Sequence, residues 1–186
     1  MPSLYLIGAV FLVILVAFCT VRVYNTLVRL KNLLQEAWSG IDVQLKRRHN
    51  LIPNLVDMVQ GYAKHERGVF EEVARTRDGS MKARDVKEAE VNENALSQTL
   101  KSLFALVEAY PDLKANANYL ELQKQLSEVE DEIQLARRYY NGTVRDFNIG
   151  VQSFPSIIVA HVCGFKRADF FELETATERE APKVEG

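Results

Sequence analysis

The chain begins with an apolar stretch, Leu4 to Val21, that contains no charged residue. An α-helix rises about 1.5 Å per residue, so this stretch covers about 27 Å, close to the ~30 Å hydrocarbon core of a bilayer. Arg22 and Tyr24 follow directly; arginine can snorkel to the membrane surface and tyrosine favours the headgroup level. The pattern predicts a transmembrane anchor over residues 1–23, with 4–21 in the lipid bilayer and Arg22 and Tyr24 at the interface.

Two alternative interpretations of this stretch fit the sequence less well. A cleaved signal peptide has basic residues before its apolar run and a small-x-small site after it, and neither is present here. A lipoprotein signal needs a small side chain before the lipidated cysteine, whereas Phe18 precedes Cys19. We therefore expect an uncleaved, single-pass anchor.

Basic residues predict the orientation of the anchor. None precedes the apolar stretch, while Arg22, Arg29 and Lys31 follow it, and Lys46–Arg48 come later. Lysine and arginine concentrate on the cytoplasmic side of membrane segments. The short N-terminus is therefore expected outside and the body in the cytoplasm.

The body, residues 24–152, carries apolar positions at alternating steps of three and four, which is typical of amphipathic helices in a bundle. The pattern predicts four helices, at about 24–48, 51–77, 96–110 and 118–152. Asn50 is a candidate N-cap with Pro53 in the first turn of the second helix. Only a tight turn at His49–Asn50 then separates the first two helices, which are expected to be antiparallel neighbours.

Breaks in the pattern separate the later helices. Asp78–Ser80 interrupts the second helix, and residues 79–91 are charged and mixed, which favours a loop or a frayed helix. Pro111 ends the third helix, and a connector follows it. Asn118 with Glu121 resembles a capping box at the start of the fourth helix.

The last part of the chain, residues 153–173, predicts a short apolar C-terminal helix and a phenylalanine-rich segment. The helix runs from Ser156 to Cys163 and is ended by Gly164. The apolar residues of 154–171 have three open interpretations: they cap the end of the bundle, face a neighbouring copy, or touch lipid. Residues 174–186 predict an acidic, disordered tail. The predicted fold is thus all-α: a transmembrane helix continuing into an antiparallel four-helix bundle with long helices, plus a short C-terminal helix.

Composition narrows the classes of function. The 186 residues carry a net charge of −2, so no basic field attracts nucleic acid, and we expect no nucleic-acid partner. The two cysteines, Cys19 and Cys163, cannot form a disulfide framework and are expected to be free thiols. Five prolines and nine glycines leave few breaks, which favours long helices.

The sequence offers no convincing catalytic or metal site. No glutamate has a histidine three residues later, and His49, His65 and His161 fall on separate predicted elements. Cys163 is near His161, but residues two apart on a helix point to different sides. Phosphate-binding and nucleophile-elbow motifs do not occur. We therefore predict no catalytic residue, no bound metal and no cofactor, and a protein that is not an enzyme.

Polar residues on predicted packing faces raise a different possibility, namely contacts between copies. Asn141 and Asn148 are seven residues apart beside Tyr140 and Phe147, and polar seam residues can fix register and partner choice. The alternative is a solvated face. Lys46–Arg48 is interpreted as a solvated helix end. The candidate oligomer or packing contacts are Trp38, Asp42, Tyr140, Asn141, Asn148, Phe154, Ile158, Phe165, Phe170 and Phe171.

Four segments together resemble the LemA family of bacterial membrane proteins. They are EAWSGIDVQLKRRHNLIPNLVDMVQGYAKHE (Glu36–Glu66), EAYPDLKANANYLELQKQL (Glu108–Leu126), ARRYYNGTVRDFN (Ala136–Asn148) and FPSIIVAHVCGF (Phe154–Phe165). The resemblance implies a single N-terminal transmembrane helix joined to a cytoplasmic-type antiparallel helical bundle, with no established enzymatic activity. We expect the protein to lie in the bacterial inner membrane. Some family members are linked to shaping or organising internal membranes. Asn50 departs from the aspartate usual before LIPNLV.

The expected function is therefore a non-enzymatic, membrane-anchored scaffold. It would self-associate as a homo-oligomer and organise or shape the bacterial inner membrane. The alternative is a membrane-tethered adaptor that recruits another membrane or envelope protein, such as an envelope-stress component, a protease or a transporter. A third and weaker hypothesis is an enzyme or metal protein.

Overall fold

The computed structural model describes the backbone of residues 2–172 and the side chains of residues 5–172. All secondary structure in this part of the chain is helical, which confirms the all-α class. The helices are α1 (Pro2–Tyr62), α2 (Arg67–Met81), α3 (Val86–Val107), α4 (Pro111–Lys114), α5 (Ala117–Gln152) and α6 (Ser156–Cys163). The acidic tail predicted for 174–186 lies outside the described residues.

Helix α1 passes through the turn predicted at His49–Asn50, so that prediction is wrong. Asn50 does not cap a helix, and Pro53 lies inside α1. The residues expected to form the second helix are divided between α1 and α2, with the break at residues 63–66. Helix α1 continues through Pro53 although proline lacks the main-chain N–H donor. Arg77 replaces this donor, because its Nε–H donates to the carbonyl oxygen of His49.

The chain folds into two compact units, and both α1 and α5 contribute to each. Among the described residues, unit 1 contains α1 up to Ser39 together with Arg138–Asp169. Unit 2 contains Gly40–Arg137 together with residues 170–172. The predicted domain bounds, 1–23, 24–152, 153–173 and 174–186, stay predictions.

In unit 2 the last part of α1 packs with α2, α3, α4 and the first part of α5. The core consists of Ile52, Leu55, Val59, Ala63, Phe70, Val73, Leu96, Leu100, Leu103, Val107, Leu113, Tyr119 and Leu126. Helix α2 includes Asp78–Ser80, so these residues do not interrupt it as predicted. The side-chain Nδ2 of Asn92 donates to the Gly79 carbonyl oxygen (3.1 Å), which stabilises this helix end.

Helix caps also correct the predicted loop and connector. The side chain of Asp85 accepts a hydrogen bond from the Glu88 amide (2.8 Å) and begins α3 within the predicted 79–91 loop. Pro111 begins the short helix α4, because proline suits the first turn of a helix. The side chain of Asn116, not that of Asn118, accepts from the amides at the start of α5, at 2.9 and 3.3 Å.

In unit 1 the first part of α1 packs with the end of α5, with α6 and with the residues that follow it. Its core contains Leu27, Phe147, Val151 and Ala160. Gly150 allows a close approach of α5, since a Cβ there would lie 3.1 Å from Leu30 Cδ1 and 3.2 Å from Leu27 Cδ2. The break at 153–155, helix α6 and the left-handed Gly164 (φ 73°) confirm the predicted C-terminal helix.

The predicted anchor lies at the beginning of α1. The side chains of residues 5–21 are all exposed in the isolated chain. By length and composition, α1 can cross a membrane. No other helix in the described part of the chain meets that test.

Candidate functional site

A buried ionic network occupies the interior of unit 2. The guanidinium of Arg48 on α1 is almost fully buried and pairs with the carboxylate of Glu93 on α3, which is buried as well. Arg48 Nη1 also donates to Glu130 Oε2 on α5 (3.0 Å) and to Ser97 Oγ (3.2 Å). These contacts connect α1 to α3 and α5.

His49 completes the network. Its Nε2 lies 2.9 Å from Glu93 Oε1, so two adjacent residues of α1 occupy both oxygens of one carboxylate. Arg48 therefore does not belong to a solvated helix end, and His49 does not lie on a turn, which corrects both predictions. Removing one partner of a buried ion pair leaves an uncompensated charge and is strongly destabilising. A variant that removes either partner is therefore expected to destabilise unit 2.

The described residues show no metal site in this network. The oxygens of Glu93 are already paired, and the described residues contain no group of three or more His, Cys, Asp or Glu side chains that could hold a metal ion. Sequence analysis missed the network, although a signal exists. Glu93 lies three residues before Leu96 on the apolar seam of α3, and a charge on a buried seam indicates a buried partner.

A cleft of about 370 Å³ lies beside Arg48, between α3 and α5 of unit 2. It has apolar walls and a polar rim. The lining residues are Arg48, Ser97, Leu100, Lys101, Phe104, Gln123, Leu126, Ser127, Glu130 and Gln134. Such a cleft can receive apolar side chains of a partner.

Two of the predicted seam residues hold the segment that follows α6 in unit 1. Asn148 donates from Nδ2 to the Ala168 carbonyl oxygen (3.0 Å) and accepts at Oδ1 from the Ala168 amide (2.8 Å). The Tyr140 hydroxyl donates to the Asp169 carbonyl oxygen (3.0 Å). Burial raises the pKa of Tyr140 to about 12, with a smaller contribution from the Asp169 carboxylate. Both side chains are buried and bonded within the chain.

Other predicted contact residues lie nearer the surface. Trp38 is half-buried, and its ring centroid lies 5.4 Å from that of Tyr140. Asn141 is half-buried as well. Asp42, also half-buried, accepts from Lys46 Nζ on the same helix (2.6 Å). That Trp38, Asp42 and Asn141 contact a second copy stays a prediction.

Some apolar side chains of the phenylalanine-rich segment are buried or partly buried, and others are exposed. Phe165 packs with Tyr24 (centroids 5.9 Å apart) and Phe147 (6.5 Å). Phe171 is fully buried and Phe170 half-buried. Phe165 and Phe171 therefore pack within the chain. Four other large apolar side chains are exposed and form what we call the α6 face, consisting of Phe154, Ile157, Ile158 and Val162.

The two predicted membrane-interface residues follow the exposed apolar part of α1. The Arg22 guanidinium lies 5.0 Å from the centroid of the Phe18 ring, one turn nearer the N-terminus, and its position at the membrane interface stays a prediction. Tyr24 is partly exposed while its ring edge contacts Phe165. Tyr24 therefore joins the first residues after the anchor to the C-terminal part of unit 1.

Comparison with known proteins agrees with this architecture. The sequence model of the LemA family matches residues 37–185. Magnetosome protein MamQ 2 of Paramagnetospirillum magneticum is 26% identical over 200 residues, which cover 94% of this chain and 73% of the relative. Magnetosome protein MamQ of Magnetospirillum gryphiswaldense is 25% identical over 190 residues (87% and 70%). Protein LemA of Metamycoplasma hominis is 30% identical over 137 residues (73% and 63%). With its apolar α1, the chain is a membrane-associated helical protein.

Proposed function

Since this chain belongs to the LemA family, we propose that it is a non-enzymatic scaffold anchored in the bacterial inner membrane. Copies of the chain associate with one another and thereby organise or shape that membrane. The magnetosome names of two relatives agree with the role in internal membranes that the family resemblance implies.

The continuity of α1 is the observation that carries this proposal. The exposed apolar residues 5–21 and the buried Leu27, Ile41 and Leu45 belong to one helix. An anchor joined without a flexible linker gives every copy a defined orientation in the bilayer. Confinement to one membrane also raises the effective concentration of copies, which favours association through the same faces.

The basic residues after the anchor support a cytoplasmic body with the short N-terminus outside. Arg22, Arg29 and Lys31 are exposed on α1, directly after the apolar residues. Lysines and arginines next to a membrane helix usually stay on the cytoplasmic side and thereby set the orientation of the helix. Self-association would then take place on the cytoplasmic side.

Energy transfer between labelled copies tests self-association in a bilayer. A Ser102→Cys variant, with Cys19→Ala and Cys163→Ala, places one exposed labelling site in unit 2. Donor- and acceptor-labelled protein are reconstituted together in vesicles that are progressively diluted with lipid. We expect transfer to persist on dilution and to fall when unlabelled protein competes. Transfer that falls to the level of random mixing would overturn the proposal.

The alternative function is a membrane-tethered adaptor for a different protein. The cleft beside Arg48 is the feature that favours it, because Leu100, Phe104 and Leu126 give it apolar walls and Lys101 a charged rim. If the protein is an adaptor, its copies should stay separate at every lipid dilution. The same energy-transfer experiment therefore distinguishes the two functions.

A further inference from the structure

We infer that the α6 face is a second membrane contact of this protein. Phe154, Ile157, Ile158 and Val162 insert at the boundary between lipid headgroups and acyl chains, beside the transmembrane part of α1. This inference rests on the membrane anchoring in the proposed function, and it does not require self-association.

Helix α6 is held firmly in unit 1, which fixes the side it presents outward. Ala160 is buried in the core with Leu27 and Val151. Gly164 adopts a left-handed conformation, and the Phe165 amide donates to the Ala160 carbonyl oxygen (2.9 Å). This cap directs Phe165 back to the core, where it meets Tyr24.

The contacts of this core lie just beyond the membrane-spanning residues. Val23, Leu27 and Leu30 of α1 pack in the same core as α6 and Phe165. Leu27 follows Val21 by six residues, or about 9 Å of helix, while a headgroup layer is roughly 5–8 Å thick. The core that holds α6 therefore lies at or next to the headgroup layer.

The exposure of the α6 face is unusual for a surface in water. Phe154 is 82% exposed, Val162 79% and Ile158 58%. Several large apolar side chains on one short element are a typical mark of an interaction site. At the level of the headgroups, lipid is the apolar partner that is always present.

The charges around this face match an anionic membrane surface. The segments 22–31 and 161–167 together contain five lysines or arginines and no aspartate or glutamate. All five, Arg22, Arg29, Lys31, Lys166 and Arg167, are exposed. Basic groups next to inserted apolar side chains are attracted by anionic headgroups, which strengthens interfacial binding.

A second copy of the chain fits this face less well. A stable protein interface buries roughly 800 Å² on each partner, which takes about 20–30 residues a side. Four side chains on and beside an eight-residue helix fall far short of that. A bilayer needs no matching surface, so a small face suffices when α1 already anchors the chain.

Depth-dependent quenching of a fluorescent probe tests the inference on the full chain. The probe is attached to a Val162→Cys variant that also carries Cys19→Ala and Cys163→Ala. The protein is reconstituted in vesicles of phosphatidylethanolamine and phosphatidylglycerol that contain lipids with a quencher high in the acyl chain. We expect blue-shifted emission and loss of most of the fluorescence.

Two matched probes calibrate the measurement. An Arg22→Cys variant places the probe at the end of the apolar residues and should be quenched. A Ser39→Cys variant places it on the same helix about 27 Å beyond Val21, and should keep its fluorescence. Replacing phosphatidylglycerol with a neutral lipid should weaken the quenching of the Val162→Cys probe if the basic residues contribute.

The inference fails if the Val162→Cys probe stays unquenched while the Arg22→Cys probe is quenched. Cross-linking of the unquenched Val162→Cys variant to itself by a bismaleimide would show that a second copy covers the face instead. That result would support self-association and overturn the lipid contact. Quenching at Val162→Cys without energy transfer between copies would support the lipid contact and overturn self-association. The two proposals can therefore fail independently of each other.

Discussion

Arg77 of α2 donates its Nε–H to the main-chain carbonyl oxygen of His49 at 2.8 Å. Within a helix that carbonyl would accept from the amide of residue 53, which is a proline and has no N–H. The side chain of one helix thus replaces the missing donor of another. With this contact in place, α1 continues past Pro53 to Tyr62 within unit 2.

The first prediction concerns this bond. Arg77→Ala leaves the His49 carbonyl without its donor and should lower the free energy of unfolding by about 1–3 kcal/mol. In a Pro53→Ala background the restored amide supplies the donor, and the same Arg77→Ala change should have a smaller effect. Urea unfolding followed by circular dichroism in detergent measures both. Equal losses in the two backgrounds would contradict the proposed compensation.

The second prediction concerns the buried ion pair. Glu93→Gln removes the charge that compensates Arg48 and should lower the free energy of unfolding by about 3–5 kcal/mol. Glu130 contacts the same guanidinium, but its side chain is 43% exposed. Glu130→Gln is therefore the matched control, and its effect should stay below about 1 kcal/mol. If chemical denaturation shows a similar loss in the free energy of unfolding for both variants, the burial of Glu93 does not explain its effect on stability.

The third prediction follows from Tyr140. The folded state raises its pKa from 10.0 to about 12, so the folded chain keeps a proton that the unfolded chain has released between these values. Stability should therefore fall as pH rises from 10 to 12, by up to about 2 kcal/mol. Tyr140→Phe cannot ionise and should reduce this pH dependence, leaving the part that comes from Tyr119, whose pKa is also raised by burial. An unfolding series across the alkaline range tests it, and an unchanged slope in Tyr140→Phe would contradict the assignment.

The fourth prediction concerns the Asn148 side chain, which makes two hydrogen bonds to Ala168. Asn148→Asp keeps the acceptor and loses the donor, whereas Asn148→Ala loses both bonds. Hydrogen exchange at the Ala168 amide should speed up strongly in Asn148→Ala and less in Asn148→Asp. Exchange that stays at the wild-type rate in Asn148→Ala would show that other contacts hold this segment.

The fifth prediction concerns topology. With Cys19→Ala and Cys163→Ala, a Ser39→Cys thiol lies in the body and is exposed. A maleimide that cannot cross membranes should label it only after spheroplasts are lysed, because the body is proposed to be cytoplasmic. Labelling of intact spheroplasts would invert the orientation and place the body outside the inner membrane.

Features encoded by local pattern were predictable from the sequence. The uncharged stretch at the N-terminus, the break around Pro155 and the cap at Gly164 depend on neighbouring residues alone. The cap of α3 also had a local signal, because Asp85 and Glu88 have the spacing of a capping box. The prediction of a loop at 79–91 did not take this capping-box spacing into account.

Features that depend on distant partners were not predictable in this way. Pro53 normally indicates a helix start, and only the Arg77 side chain reverses that interpretation. The segment 154–171 is rich in apolar residues throughout, yet tertiary packing buries Phe171, partly buries Phe165 and leaves Phe154 exposed. Asn116 and Asn118 are equally good caps, and the helix boundary decides between them.

The mass and shape of the particle extracted from membranes in mild detergent, viewed by electron microscopy, test the central claim most directly. Self-association predicts a large, regular assembly that contains many copies of the 21.2 kDa chain. A small, uniform particle with the mass of one chain and its detergent would contradict the scaffold and favour an adaptor with a different partner.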